Sequence, residues 1–158
     1  MNKLQFYSKK KLRLSNVLKC SISLKEELDI DVVIEQMKSF IKTKGKMQIG
    51  PLIQYTSRVL NEDNGISVEI VMMLQSDTFI HNVEAPYSME SVISVSDCMY
   101  CRYIGSEEKI KFAYDKIHLE AFENDIELED CSYTIFVDRN EEDETIVADV
   151  FIPRKDAK

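Results

Sequence analysis

The sequence is poor in the residues and segments on which several common functions depend. Only four glycines occur, and none belongs to a Gly-rich phosphate loop. Only two histidines occur, with neither a Ser-His-Asp order nor an HExxH motif, which argues against a hydrolytic triad or a zinc protease. No segment approaches the roughly 20 apolar residues of a membrane span, and the N-terminus lacks a signal-peptide apolar block. We therefore predict a cytoplasmic protein with no membrane partner.

Net charge and cysteine content further restrict the possible partners and cofactors of the protein. The net charge of −8 disfavours direct nucleic-acid binding, because Lys and Arg drive phosphate binding, and it mildly favours cationic ligands. The basic run at 9–13 is interpreted as solvated, with a nucleic-acid patch as the less favoured alternative. Cys98 and Cys101 form a CxxC within a strand-like alternation, and Cys20 and Cys131 do not supply the spacing of a zinc site. Buried, reduced thiols are predicted, with no metal and no cofactor.

The segment at 66–74 is the most informative part of the chain. Alternate residues in it are apolar, the period-two pattern of a strand with one face on a core: Ile66, Val68, Ile70, Met72 and Leu74. Glu69 lies on the other face between Val71 and Met73, so this strand is predicted to be covered on both sides. A carboxylate on a mostly apolar surface is costly unless a partner compensates it. Glu69 is therefore a candidate binding residue.

A second copy of this pattern lies 80 positions later, since 149 − 69 = 80. Asp149 stands where Glu69 stood, and Phe151 shares its face. The same offset relates Met37 to Ile117. One pair departs from the pattern, because the offset matches apolar Ile22 with Arg102. A long shared offset predicts two structural repeats of about half the chain each.

Each repeat is predicted to be a β-α-β-β unit. In the first, the strands are predicted at 17–24, 52–57 and 66–74, with a helix at about 30–44. In the second, they are predicted at 98–104, 132–138 and 145–153, with a helix at 109–124. Residues 75–95 connect the halves, and residues 1–16 give no assignment. The predicted fold class is α+β, in one domain of residues 1–158 with modules at about 15–75 and 96–155.

Several stretches resemble the GyrI-like effector-binding family, found alone and as the ligand-sensing half of multidrug-responsive transcription activators. They are GPLIQY (50–55), VEI (68–70), YIG (103–105), AYDKI (113–117), YTIF (133–136) and DVFIP (149–153). The resemblance covers roughly residues 15–155. It implies an antiparallel sheet with two main helices, built from two β-α-β-β modules related by a pseudo-twofold. It also implies a groove between the modules that accepts planar, lipophilic and often cationic compounds.

The resemblance further implies an aromatic lining and an acidic counter-charge. The chain has no Trp, so Tyr and Phe must form the lining, and the shorter Asp149 replaces the family's glutamate, which shifts the preference to Glu69. The candidate ligand-binding residues are Glu69, Asp149, Tyr103, Tyr55, Phe151, Met73 and Val71. Alternatives remain open for three of them. Glu69 is otherwise a surface acid paired with Lys or Arg, Asp149 balances Lys19 or Arg102, and Tyr55 is a half-buried structural residue.

The leading functional hypothesis is a small-molecule binding module that acts as a multidrug sensor or sequestering protein. No helix-turn-helix-sized segment precedes the first repeat, so any transcriptional role is expected to need a protein partner. One alternative is a hydrolase of strained electrophilic small molecules, in which Glu69 and either Tyr103 or Tyr55 transfer protons. The other is an acidic protein-interaction module, such as an inhibitor of a DNA-handling enzyme.

Overall fold

The computed structural model describes residues 3–22, 29–60 and 62–155, which form six antiparallel strands and two helices. The elements are β1 (Lys3–Ile22), α1 (Ile30–Thr43), β2 (Gln48–Leu60), β3 (Ile66–Ser76), β4 (Tyr87–Ser106), α2 (Lys111–Glu123), β5 (Cys131–Asn140) and β6 (Thr145–Pro153). A single 3-10 turn, Glu107–Lys109, precedes α2. The predicted α+β class is confirmed. Among the described residues, neither helix has the length and apolar character of a bilayer span.

The chain divides into two compact units. Unit 1 comprises residues 1–12 and 94–158, and unit 2 comprises residues 13–93. The predicted modules correspond to the larger part of each unit. The unassigned N-terminus begins β1, and the predicted connection at 75–95 contains the start of β4. The end of the first predicted strand, residues 23–24, lies outside the described residues.

Unit 2 packs α1 on one face of the sheet formed by β1, β3 and β2. The Asp29 side chain accepts a hydrogen bond from the Asp31 amide at 3.0 Å and caps the helix as its composition predicts. The buried stripe of α1 is Val33, Met37 and Ile41. It packs against apolar side chains of the sheet, namely Leu18, Cys20, Ile22, Met72 and Leu74. The strand predicted at 52–57 begins earlier, at Gln48, so that Gly50 and Pro51 lie inside β2 at a bulge.

Unit 1 repeats this arrangement with α2 on the sheet formed by β4, β6 and β5. Its buried helix stripe is Ala113, Ile117 and Ala121. The sheet residues that meet it are Met99, Cys101, Tyr103, Ile146, Ala148, Val150 and Ile152. The predicted core-facing row of the last strand is therefore confirmed. Each sheet has one face on the core cluster that includes the helix. We call the opposite face the helix-distal face.

Backbone conformation confirms the predicted repeat. Gly45 follows α1 with φ +72°, and Asp125 follows α2 with φ +54°, where 125 − 45 = 80. The two hairpins match in the same way. Asn64 has φ +64° and Glu144 has φ +56°, where 144 − 64 = 80. Left-handed conformations are uncommon outside glycine, so their recurrence at one offset indicates a duplicated chain path.

The repeat shifts by one residue in the strands that begin it. Ile22 pairs with Ile70 in unit 2, whereas the matching residue of β6, Val150, pairs with Cys101. The offset is therefore 150 − 70 = 80 in one strand and 101 − 22 = 79 in its neighbour. A slip of one residue moves every side chain to the other face. This slip accounts for the mismatch of Ile22 with Arg102.

The start of β3 is more exposed than predicted. Ile66 is 69% exposed and Val68 is 40% exposed, and Glu69 is also exposed. These residues pair with β2 at the end of the hairpin that the two strands form. Coverage on both sides is confirmed only for residues 71–74.

All four cysteines lie within the described residues and are thiols outside any disulfide, as predicted. Three of them, Cys20, Cys98 and Cys101, are buried, and Cys131 is half-buried. Burial raises the pKa of the Cys98 thiol to about 12 and that of Cys101 to about 11. Within the described ranges, no group of three or more His, Cys, Asp or Glu side chains is placed to hold a metal ion.

Candidate functional site

Asp149 is a buried carboxylate on the helix-distal face of unit 1. It is 8% exposed and stands directly opposite Arg102 in the pairing of β6 with β4. Arg102 donates through Nε to Oδ1 at 2.8 Å and through Nη2 to Oδ2 at 2.9 Å, a two-pronged ion pair. The Tyr100 hydroxyl donates to the same Oδ1 at 2.7 Å. Three of about four acceptor positions on the carboxylate are therefore occupied.

Aromatic rings continue from this carboxylate along the same face. The rings of Tyr100 and Phe151 lie 4.9 Å apart between centroids, at an interplanar angle of 48°. Tyr7 stands 5.8 Å from Tyr100. The amine of Lys10 lies 5.2 Å from the ring centroids of both tyrosines, within the range of a cation–π contact. The Asp149 cluster is defined here as Tyr100, Arg102, Asp149 and Phe151.

The protonation states in the Asp149 cluster follow from burial and from the ion pair. Burial, followed by the hydrogen bond and the charge of Asp149, raises the pKa of Tyr100 to about 12. The hydrogen bonds to Asp149 raise the pKa of Arg102 further above its already high value. At neutral pH, Tyr100 is therefore a protonated donor and Arg102 a fixed cation. The cluster holds its own counter-charge.

Four of the predicted residues share the helix-distal face of unit 2. Tyr55 stands opposite Val71, and Met73 lies two positions further along the same strand. Val71 and Met73 are buried, Tyr55 is half-buried, and Glu69 is exposed at the end of this row opposite Ser57. The row itself is thus apolar at its centre, with Glu69 at its exposed end. The neighbouring strand adds a charged pair beside it, because Lys19 stands opposite Met73 and is bonded to Glu90.

The structure corrects the expected environment of Glu69. Its exposure means that burial does not strengthen its charge, although a mostly apolar surrounding was the reason for making Glu69 a candidate. Its ligand-binding role stays a prediction. Of the two balancing partners expected for Asp149, the structure has Arg102, while Lys19 pairs with Glu90 at 2.6 Å.

Tyr103 lies on the opposite face from its expected position. It is fully buried in the cluster that includes α2, and its hydroxyl donates to the Ser106 carbonyl. The one-residue shift of β4 explains the difference, because the predicted facing assumed the wrong register. Asp149 and Phe151 do lie on the face that alternation predicts. That they bind a ligand stays a prediction.

Sequence reasoning missed Tyr100, Tyr7 and Lys10 as neighbours of the carboxylate. Tyr100 carried a usable signal, because the mismatch of Ile22 with Arg102 at the 80-residue offset already indicates a shifted strand. Correcting for that shift turns Tyr100 and Arg102 toward Asp149. Tyr7 and Lys10 lie in β1, within a segment whose composition gave no strand assignment.

Comparisons with known proteins identify the fold. No protein-family model matches the chain, and no curated protein matches its sequence. A solved structure described as the EcmrR C-terminal domain aligns with a TM-score of 0.61 and 11% identity, over 98% of this chain and 97% of that one. EcmrR in a DNA complex aligns with a TM-score of 0.65 and 13% identity, over 98% of this chain. This chain spans 57% of that EcmrR chain. At these identities the likeness shows that the chain has the fold of the EcmrR C-terminal domain.

Proposed function

We propose that this chain is a small-molecule binding module for lipophilic aromatic compounds. The observation that carries the proposal is the Asp149 cluster, where a buried carboxylate and two aromatic rings share the helix-distal face of unit 1. A charged side chain is rarely buried unless it has a role, because its removal from water costs free energy. The apolar row of Tyr55, Val71 and Met73 is proposed as a second contact surface, on unit 2.

The proposed binding energy has an apolar and an aromatic part. Apolar burial contributes about 25 cal/mol per Å² of ligand surface removed from water. Stacking on a ring such as Phe151 adds roughly 0.5–1.5 kcal/mol beyond its area. Met73 offers a flexible contact that adapts to different shapes. Such a surface favours a broad range of flat, lipophilic ligands over a single one.

A cationic ligand is the finer part of the proposal. The net charge of −8 and the exposed carboxylate of Glu69 both favour positive charge. Exposed charges interact weakly, by roughly 1 kcal/mol or less in water. Glu69 is therefore proposed to give a preference of only a few-fold, and Glu69→Gln is expected to reduce it.

A regulatory role is proposed to work through a partner protein. The EcmrR structure that aligns with this chain was determined with DNA. This chain carries a net charge of −8, which opposes phosphate contacts of its own. Ligand binding here is therefore proposed to be read by a protein partner, or to sequester the compound.

Dye titration tests the binding proposal. We expect micromolar binding of rhodamine 6G and of a neutral dye with the same ring system, measured by fluorescence anisotropy. Phe151→Leu removes the aromatic face and is expected to weaken both dyes about two- to ten-fold. Phe122→Leu, at a position 81% exposed on α2, makes the same change elsewhere and serves as the control. The proposal fails if neither dye binds, or if the two leucine variants behave alike.

A further inference from the structure

The carboxylate of the Asp149 cluster is already occupied by a cation of the chain itself. Both oxygens of Asp149 accept from the Arg102 guanidinium, at 2.8 and 2.9 Å. The Arg102 side chain is 35% exposed, whereas that of Asp149 is 12% exposed. The solvent-accessible part of this pair is therefore mainly the Arg102 side chain. A ligand that approaches from solvent encounters Arg102 before it encounters the carboxylate.

A second resident cation lies at the neighbouring aromatic ring. The Lys10 amine is 5.2 Å from the Tyr100 centroid, and the hydroxyl of Tyr100 is bonded to Asp149. The ring and the carboxylate are the two groups that would attract a lipophilic cation, through the π face and through charge. Each already has a partner from within unit 1. Counted together, Lys10, Arg102 and Asp149 carry a net charge of +1.

We propose that Arg102 determines the charge selectivity of this face. It acts as a built-in substitute for a ligand cation, so the helix-distal face of unit 1 selects neutral aromatic compounds and accepts cationic ones only in competition with the guanidinium. The few-fold preference for cations proposed above belongs to Glu69 on unit 2. This inference rests on the proposed binding function and specifies its ligand class. It differs from a purely structural ion pair, which would contribute to stability without changing which compounds bind.

Four proteins give three values for the summed charge of the pair. Arg102 with Asp149 sums to zero, Arg102→Gln leaves −1, Asp149→Asn leaves +1, and the double variant returns the sum to zero. Gln and Asn keep much of the hydrogen-bonding capacity and the approximate size of the replaced side chains. The selectivity for charge should therefore follow the sum and not the number of substitutions.

The experiment measures the affinities of rhodamine 6G, a neutral dye of the same ring system and anionic fluorescein for these four proteins. We expect Arg102→Gln to raise the cation-to-neutral affinity ratio about ten-fold or more, because an uncompensated carboxylate in a partly desolvated site attracts cations strongly. Asp149→Asn should lower that ratio and raise the anion-to-neutral ratio. The double variant should return both ratios to within about two-fold of wild type.

Arg139→Gln provides the matched control. It removes an arginine of unit 1 that is also ion-paired, to Glu107, and changes the net charge by the same amount. It should leave the ratios unchanged. The inference is overturned if the neutral dye binds all variants while the ratios stay constant, or if Arg139→Gln shifts them as much as Arg102→Gln. Should Arg102→Gln fail to fold, a constant ratio in Asp149→Asn overturns it equally. A wild type that binds neither dye would instead refute the proposed function, whereas a wild type that binds rhodamine 6G but not the neutral dye would overturn this inference.

Discussion

Asp149 of unit 1 and Glu69 of unit 2 occupy the same position in their repeats but lie in opposite environments. Asp149 is 8% exposed and accepts three hydrogen bonds from side chains. Glu69 is exposed in the hairpin of β2 and β3, opposite Ser57. The strands that carry them have the same alternation, so alternation alone does not set the difference.

The neighbouring strand sets the environment of each carboxylate. In unit 1, β4 places Tyr100 opposite Phe151 and Arg102 opposite Asp149. In unit 2, the residue that stands opposite Val71, the equivalent of Phe151, is Ser21. A serine supplies neither the ring nor the reach of a tyrosine. The environment of an acid in a sheet therefore depends on its cross-strand partners more than on its own strand.

The helix-side cores differ much less than the helix-distal faces. Met37 and Ile117 are both fully buried, each at the centre of a helix stripe, and 117 − 37 = 80. The two cores therefore place similar demands on packing, whereas the two distal faces carry different chemistry. The two units therefore differ mainly in the chemistry of their helix-distal faces.

The substitutions with the largest predicted effect test whether the two helix-side cores contribute equally to stability. Met37→Ala and Ile117→Ala should each lower the free energy of unfolding by about 2–5 kcal/mol, through lost burial and the resulting cavity. The two losses should agree within about 1 kcal/mol, as measured by urea denaturation. Leu119→Ala, at a position 54% exposed on α2, is the control and should cost less than about 0.5 kcal/mol. A large loss in one unit alone would contradict equivalence.

The second prediction concerns the two carboxylates. Asp149→Ala should lower the free energy of unfolding by about 3 kcal/mol, because Arg102 and Tyr100 lose their shared acceptor in a buried site. Glu69→Ala should change it by less than about 0.5 kcal/mol, since its position is exposed. Urea denaturation of both variants checks the difference. Equal costs would mean that the contrast in burial has no energetic consequence.

Much of the fold follows from sequence periodicity. The 80-residue offset predicted the repeat because β3, β6 and both helices keep their hydrophobic spacing through the duplication. The alternation of β6 likewise placed Asp149 and Phe151 on one face, because a strand has a strict period of two. Local pattern is sufficient wherever an element keeps its register.

The candidate site was predicted less completely because register is a non-local property. The residues that surround Asp149 come from β4, whose pairing is displaced by one residue, and nothing within β4 itself reveals that displacement. Tyr103 was placed on the wrong face for this reason. The exposure of Glu69 is likewise a tertiary fact that alternation along β3 does not contain.

The smallest predicted effect is the pH dependence of the stability that Tyr100 contributes. Ser21, the equivalent residue in unit 2, has no aromatic ring. The pKa of Tyr100 is raised to about 12, whereas a tyrosine in an unfolded chain titrates near 10. Below pH 10 the phenol is neutral in both states, so its contribution to stability is fully present. As the pH rises toward 12, the unfolded chain loses the proton first and that contribution declines, by on the order of 2 kcal/mol.

Comparison with Tyr100→Phe separates this loss from the titration of the buried thiols Cys98 and Cys101, which both proteins share. At pH 8 the wild type should be more stable by about 1–2 kcal/mol, the contribution of a hydrogen bond to a charged acceptor. Urea denaturation at intervals from pH 8 to 12 should show this advantage shrinking as the pH passes 10. Absorbance at 295 nm should show one fewer late-titrating phenol in the variant. An advantage that stays constant up to pH 12 would mean that Tyr100 ionises as readily in the folded chain as in the unfolded one. The Asp149 cluster would then be more open to water than its burial indicates, and the contrast with Glu69 would narrow.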